Sequence, residues 1–264
     1  MLGSINLKAY AKKIPLVLPV YRAIRGGKHS GAPQKYSFQR EDCPENATPA
    51  QVQRARILNI LNYTKTNGSA YSARKYPAGY HEIKIGDEVF AGQRSPKQRL
   101  SLVPIDFSGK TILDIGSNQG GMIFALDDKV KWAVGLDYDY RMVNASNLIA
   151  REQGVNNCHF YIFDIDRDPH DLILDVLPEQ RVDVVFLLSV CMWVDKWREI
   201  IRFAATISNT LLFESNGSDQ QQSEQIAYLG EVFQDVRTLA KTSEDDPGQK
   251  KRQLLIAHNP AGSR

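Results

Sequence analysis

From Lys110 onward, short apolar runs alternate with stretches of helical periodicity. The runs at 111–116, 132–137, 158–163, 182–188 and 209–214 are continuous rather than alternating, as strands buried on both faces require. Between and after them, helical spacing fits near 120–128, 139–153, 168–177, 195–208 and 219–231. That rhythm predicts an α/β domain with helices on both faces of a mostly parallel sheet. The end of the chain breaks it. FQDVRTLAK and KRQLLIAHN are strand-like, with only TSEDDPGQK between them. So short a link cannot make a parallel crossover, and these two strands are expected to pair antiparallel.

Upstream, TPAQVQRARILNILNYTK reads as a helix capped by Thr48 with Pro49 in its first turn. HEIKIGDEVFAG alternates around Gly86-Asp87 and reads as a β-hairpin. SPKQRLSLV is a short helix with Pro96 in its first turn. Residues 29–50 are rich in Ser, Gly, Pro and Gln and read as a linker. The expected division is a basic arm and linker at 1–50, a helix-plus-hairpin extension at 51–109, and the α/β domain at 110–264.

Composition, at 42% hydrophobic and 24% charged, is ordinary for a globular chain with a real core. Charge changes the picture more. Residues 1–40 carry eight Lys or Arg and no acidic residue, so a net charge of +3 hides a basic arm on an acidic body. Cations mix there with the apolar run Ile14–Val20. That run is far shorter than the roughly 20 residues a spanning helix needs, and Pro15 and Pro19 interrupt it. A signal peptide is not expected, because no small-residue cleavage site follows. Two readings of the arm stay open: contact with an anionic membrane face from the cytoplasmic side, or packing on its own domain. Cys43, Cys158 and Cys191 form no CxxC pair, and the five histidines show no metal-site spacing. Reduced thiols and no metal are expected.

Ligands of open α/β sheets bind outside the carboxyl ends of the strands. The first strand, TILDI, runs into GSNQGG. Gly116, Gly120 and Gly121 allow close backbone approach, and Asn118 tolerates positive φ better than most residues. Asp137 ends the second strand, where a carboxylate suits a ribose diol. Asp164 follows the third, placed to accept from an exocyclic amine, with Phe163 or Ile165 to flank a flat ring. SVCMWVDKW follows the fourth strand and ESNG the fifth. The spacing GxxxGG is not the GxGxxG of a nicotinamide dinucleotide site, and Asp114 would repel a pyrophosphate. A carboxylate there suits a cationic ligand, an α-amino group or a sulfonium. The turn is therefore expected to hold the amino-acid end of S-adenosylmethionine. A buried acid bonded to the turn's own amides is the other reading of Asp114.

The segments ILDIGSNQGG, AVGLDYD, FYIFDI, DVVFLLSVCMWV and LLFESNG, with the terminal hairpin, resemble a class I S-adenosylmethionine-dependent methyltransferase over Lys110–Asn259. The resemblance implies a seven-stranded sheet in the order 3-2-1-4-5-7-6 with the last-numbered strand antiparallel. It implies that Asp114, Gly116 and Asn118 bind the methionine moiety, Asp137 the ribose and Asp164 the adenine. Ser117, Gly120, Tyr138, Ile165 and Ser189 complete the expected cofactor set. Asn118 departs from the family's usual middle glycine.

Methyl transfer from a sulfonium chiefly needs a positioned nucleophile and exclusion of water, plus a base if the nucleophile is a hydroxyl. Glu214 is the candidate base, with Asn216 beside it, and His81 and Asp195 are weaker candidates. The alternative for Glu214 is a structural carboxylate that holds a loop. Trp193, with Trp197, could form an aromatic platform or belong to the core. Arg94 and Arg99 could bind the cofactor carboxylate or an anionic substrate, or lie on a solvated helix face. SVCMW stands where an amino-methylating enzyme would carry Asn/Asp-Pro-Pro-aromatic, so O-methylation is expected. The acceptors considered are a sugar or surface glycan, lipid-linked at a membrane face, then a small metabolite, then RNA stacked on the tryptophans. A nicotinamide-dependent oxidoreductase and a non-catalytic partner subunit are the readings of another class.

Overall fold

The computed structural model describes residues 40–65, 70–73, 75–243 and 251–259. The basic arm, and the readings attached to it, lie outside the described residues.

The sheet has seven strands: β5 (Thr111–Ile115), β6 (Trp132–Asp137), β7 (Cys158–Ile162), β8 (Val184–Leu188), β9 (Thr210–Glu214), β10 (Asp235–Ala240) and β11 (Leu254–His258). Their spatial order is β10-β11-β9-β8-β5-β6-β7. β11 runs antiparallel to both β9 and β10, and the other neighbours are parallel. Numbered from β5, this is the expected order with the last strand reversed. The strand order reverses between the parallel neighbours β5 and β8, which sets a crevice at their carboxyl ends.

Alternate residues of each strand feed two cores. Ile112, Phe186 and Phe160 face one cluster, which takes in Ile57 and Leu61 of α1 (Pro49–Tyr63) and Met122 and Ile123 of α3 (Gly121–Phe124). Leu113, Leu136, Leu187 and Phe213 face the other, against Ile200 and Ile201 of α6 (Trp197–Ile207) and Leu229 of α7 (Asp219–Val232). Both faces are covered, which explains why these strands read as continuous apolar runs.

Helices differ from expectation mainly in length. The stretch near 120–128 yields only α3, and that near 168–177 yields only α5 (Leu172–Asp175). Asp127 and Asp128 lie just past α3, and Pro169 and Pro178 bracket α5. These are residues that turn or break a helix. α4 (Tyr140–Gln153) ends at Gly154 in the left-handed region, as expected for a C-terminal glycine. Before α6, a separate 3-10 turn holds Cys191–Trp193.

The extension is built as expected at its start. Thr48 and Gln51 form a reciprocal capping box on α1. β2 (Ile83–Ile85) and β3 (Glu88–Phe90) make the hairpin, with Gly86 at φ 57°. A second pairing was not anticipated. β1 (Gly79–His81) and β4 (Gly92–Arg94) pair parallel, with the hairpin as their crossover. A side chain at Gly92 would lie 2.1 Å from the His81 carbonyl carbon, so only glycine lets these strands meet. α2 (Pro96–Leu100) follows, capped by Ser95. Segment 79–99 thus crosses the carboxyl edge of the sheet like a roof.

Candidate active site

The glycine-rich turn is held by its neighbour strand and leaves Asp114 aside. The amides of Gly116 and Ser117 both donate to the Leu136 carbonyl, at 2.7 and 2.9 Å. The Asn118 amide donates to Asp137 Oδ2 at 2.8 Å. Gly116 has φ 84°, and a Cβ there would lie 2.4 Å from Val190 Cγ2, so the position needs glycine twice over. Asn118 takes the left-handed conformation, φ 52°, that its side chain tolerates. Gly120 caps α3 at φ 75°.

Asp114 is buried. Burial first, then the charge of Asp137, pushes its pKa up to about 8, and no cation among the described residues offsets either effect. Since the turn amides bond to Leu136 and Asp137, they are not what holds this acid. Asp137 is also buried, and desolvation raises it to about 6 against the hydrogen bonds from Asp139 and Asn118 that lower it. Its Oδ1 accepts from the Asp139 amide at 2.9 Å, its Oδ2 from Asn118. Each oxygen keeps acceptor capacity for a diol. Tyr138 beside it is exposed.

After β7, Asp164 is part-exposed. Its Oδ1 accepts from the Asp166 amide at 3.0 Å, and its Oδ2 lies 3.5 Å from Arg167 Nε. Ile165 and Phe163 are buried in the core beneath. Asp114, Gly116, Ser117, Asn118, Gly120, Asp137, Tyr138, Asp164 and Ile165 therefore follow the carboxyl ends of β5, β6 and β7 in order.

Glu214, at the end of β9, sits in a buried cluster. Its Oε1 receives Arg94 Nη2 at 2.8 Å, Arg99 Nη2 at 3.3 Å and the Ser243 hydroxyl at 3.1 Å. Its Oε2 receives the Ser189 hydroxyl, with Arg252 Nη1 at 3.8 Å. Arg252 also donates to Ser189 Oγ at 3.1 Å. The geometry favours the second of the two readings, a carboxylate that ties the roof, the strand ends and the terminal hairpin together. It likewise moves Arg94 and Arg99 off a solvated helix face and into the interior. A small cleft beside Glu214 is lined by Arg99, Leu102, Ser243 and Leu254 among others.

Asn216 fixes the loop after β8. Its Nδ2 donates to the Ser189 carbonyl, and its Oδ1 accepts from the Met192 amide at 2.9 Å. Gln225 of α7 returns two hydrogen bonds to the Asn216 backbone, at 3.0 and 2.9 Å. Ser189 is held at φ 60°, a strained conformation for a serine that its partners over-determine. The clamped loop presents Trp193 with 52% of its surface exposed, whereas Trp197 packs on Tyr228 at 5.5 Å. Trp197 thus packs against the core cluster, while Trp193 stands half-exposed.

The roof seats directly on the turn. Gln119 accepts from the Tyr80 amide at 3.3 Å and donates to Thr64 Oγ1. Arg252, Ser243, Tyr80 and Gln225 carried no signal in the sequence. Each is an ordinary polar residue whose partner lies far along the chain.

Among the described residues no cluster of His, Cys, Asp and Glu could hold a metal ion, and no helix is long and apolar enough to cross a membrane. A family model described as "Methyltransferase domain" matches residues 106–241, just over half of the chain. No curated protein matches in sequence. Among solved structures, EvdMO1 superposes with TM-score 0.57 at 12% identity, over 82% of this chain and 50% of that one. The chain thus spans about half the length of that protein. Its N-terminal domain, solved in the presence of SAH and D-fucose, matches over 83% of this chain and 100% of its own, with TM-score 0.56 and 13% identity. With the family model across the whole glycine-turn region and the strand order of the fold, the chain belongs to the methyltransferase-domain family, as a class I S-adenosylmethionine-dependent methyltransferase.

Proposed function

We propose that the chain O-methylates a sugar hydroxyl, on a free sugar or on a surface or lipid-linked glycan. The observation that carries this is Trp193. A large aromatic side chain, 52% exposed, stands on a clamped loop at the sheet's carboxyl edge, and such a ring suits the apolar face of a sugar. The N-terminal domain of EvdMO1, which shares the fold, was solved with SAH and D-fucose.

The residues present fit the cofactor. Asp114 offers a buried carboxyl with no cation beside it among the described residues, left-handed backbone at Gly116, Asn118 and Gly120 shapes the turn after β5, and Asp137 retains acceptor capacity. Bound there, S-adenosylmethionine supplies a methyl group on an already activated sulfonium. Asp114 balances the amino-acid end's positive charge, Asp137 takes the ribose hydroxyls and Asp164 the adenine amine. Trp193 orients the acceptor. With Glu214 engaged by its arginines, Asp195, exposed just past Trp193, is the sequence's other candidate carboxylate to take the acceptor's proton.

The test is transfer of methyl from S-adenosylmethionine to a panel of hexoses, 6-deoxyhexoses and their nucleotide-linked forms, read by mass. Expected is one O-methylated sugar, with Trp193→Ala raising its KM about tenfold, equivalent to ~1.4 kcal/mol, at unchanged cofactor affinity. Methylation of RNA, or of no sugar in the panel, would contradict it.

The pKa of Asp114 gives a second expectation. At pH 7 the ligand-free carboxyl is largely protonated, since its pKa is about 8. A bound cation favours the charged form, so binding of S-adenosylhomocysteine releases a proton and tightens as pH rises from about 6 to about 8. Calorimetry in buffers of different ionisation enthalpy reads the release, which Asp114→Asn should abolish. The same shift acts on stability. A carboxyl raised above its unfolded value favours the fold fully below about 3.9, and this contribution fades as pH climbs through the folded pKa.

A further inference from the structure

His81 was a weaker candidate base in the sequence, and no step described above uses it. It stands at the end of β1, outside the matched span 106–241. Its side chain is buried, yet neither Nδ1 nor Nε2 has a hydrogen-bond partner. Buried polar atoms are nearly always satisfied, so a wholly unsatisfied imidazole asks for a ligand.

Its position says which. The ring lies on the end of the glycine-rich turn: a Cβ at Gly121 would sit 2.3 Å from His81 Cβ and 2.9 Å from Nδ1. Glycine there is what allows the imidazole to press on the turn. On its other sides stand the Tyr80 ring, at 4.6 Å between centroids, and Arg94, its register partner in β4. A second buried orphan, Ser117 Oγ, belongs to the same turn. The Ser117 hydroxyl lies beneath the turn, beside Gly135 of β6, whereas the His81 ring reaches from the roof onto the turn assigned to the methionine moiety. Burial, then the Arg94 charge, pushes the His81 pKa down to about 3, so the ring is neutral and offers one N–H donor and one lone pair.

We propose that His81 is a specificity residue for the amino-acid end of the cofactor, its ring N–H donating to the α-carboxylate while Asp114 faces the α-amino group. A zwitterion is thereby met by a neutral donor on one side and a carboxylate on the other. The inference rests on the cofactor reading above and adds that the extension, not only the α/β domain, builds the pocket.

The test is calorimetric titration of the full chain with two ligands, S-adenosylhomocysteine and 5′-methylthioadenosine. The second keeps the nucleoside and lacks the amino-acid end. His81→Phe retains ring volume and removes both nitrogens. It is expected to weaken S-adenosylhomocysteine about tenfold or more and to leave 5′-methylthioadenosine unchanged. His81→Asn, which keeps a donor, should recover part of the loss. Equal losses for both ligands, or no loss for either, would overturn the proposal, as would a wild type that binds the two equally well. Should His81→Phe fail to fold, His81→Leu carries the same comparison. A wild type that binds 5′-methylthioadenosine but not S-adenosylhomocysteine refutes the His81 contact alone. One that binds neither refutes the cofactor reading and this proposal with it.

Discussion

Glu214→Gln is expected to lower the melting temperature by roughly 10 °C, a larger effect than any other single substitution considered. The reason is the company the carboxylate keeps. Arg94, Arg99 and Arg252 all direct guanidinium groups at it, and the first two are buried with it. Removing one partner of a buried ion pair leaves desolvated charge behind and costs about 3–5 kcal/mol. The amide also cannot accept at both ends from Ser189, Ser243 and the arginines. Replacing both partners of the nearest pair, as in Arg94→Met with Glu214→Met, should cost less than the two single losses added together, since apolar residues can fill a buried pair's volume. Thermal melts of the singles and the double check this. An unchanged melting temperature with turnover abolished would instead return Glu214 to the role of general base.

Asp137→Ala is expected to weaken S-adenosylhomocysteine by about tenfold or more, since a charge-assisted hydrogen bond contributes about 1.5–3 kcal/mol. Asp137 has two tasks, because it also accepts from the Asn118 and Asp139 amides. A weakened ligand alone would not tell the ribose contact from a loosened turn. The pattern across ligands does. Asp137→Ala should weaken 5′-methylthioadenosine as much as S-adenosylhomocysteine, because both carry the ribose. Asp114→Asn should weaken only the ligand with an amino group. If Asp137→Ala left both affinities intact in a folded protein, the ribose assignment would be wrong.

The sheet was legible because its strands are buried on both faces and its crossovers are long. Ile112 and Leu113 face opposite cores, so the whole run had to be apolar, and the polar link before KRQLLIAHN forced the reversed strand. The positions of Asp114, Asn118 and Asp137 were legible for the same reason, as each follows a strand that could be located. The roles within the Glu214 cluster were not. They depend on arginines from α2, β4 and the approach to β11, which meet only when the extension folds over the sheet edge. The β1–β4 pair was hidden too. It is short, half-polar and crossed by a hairpin, so periodicity gives it no signature. Local pattern marks what is repeated along the chain, while long-range ion pairs and short parallel ladders leave none.

The most direct test of the central claim is calorimetric titration of the wild-type chain with S-adenosylhomocysteine, with NAD as the control. Micromolar binding of the first and none of the second is the expected result. Binding of NAD, or of neither compound, would contradict the account.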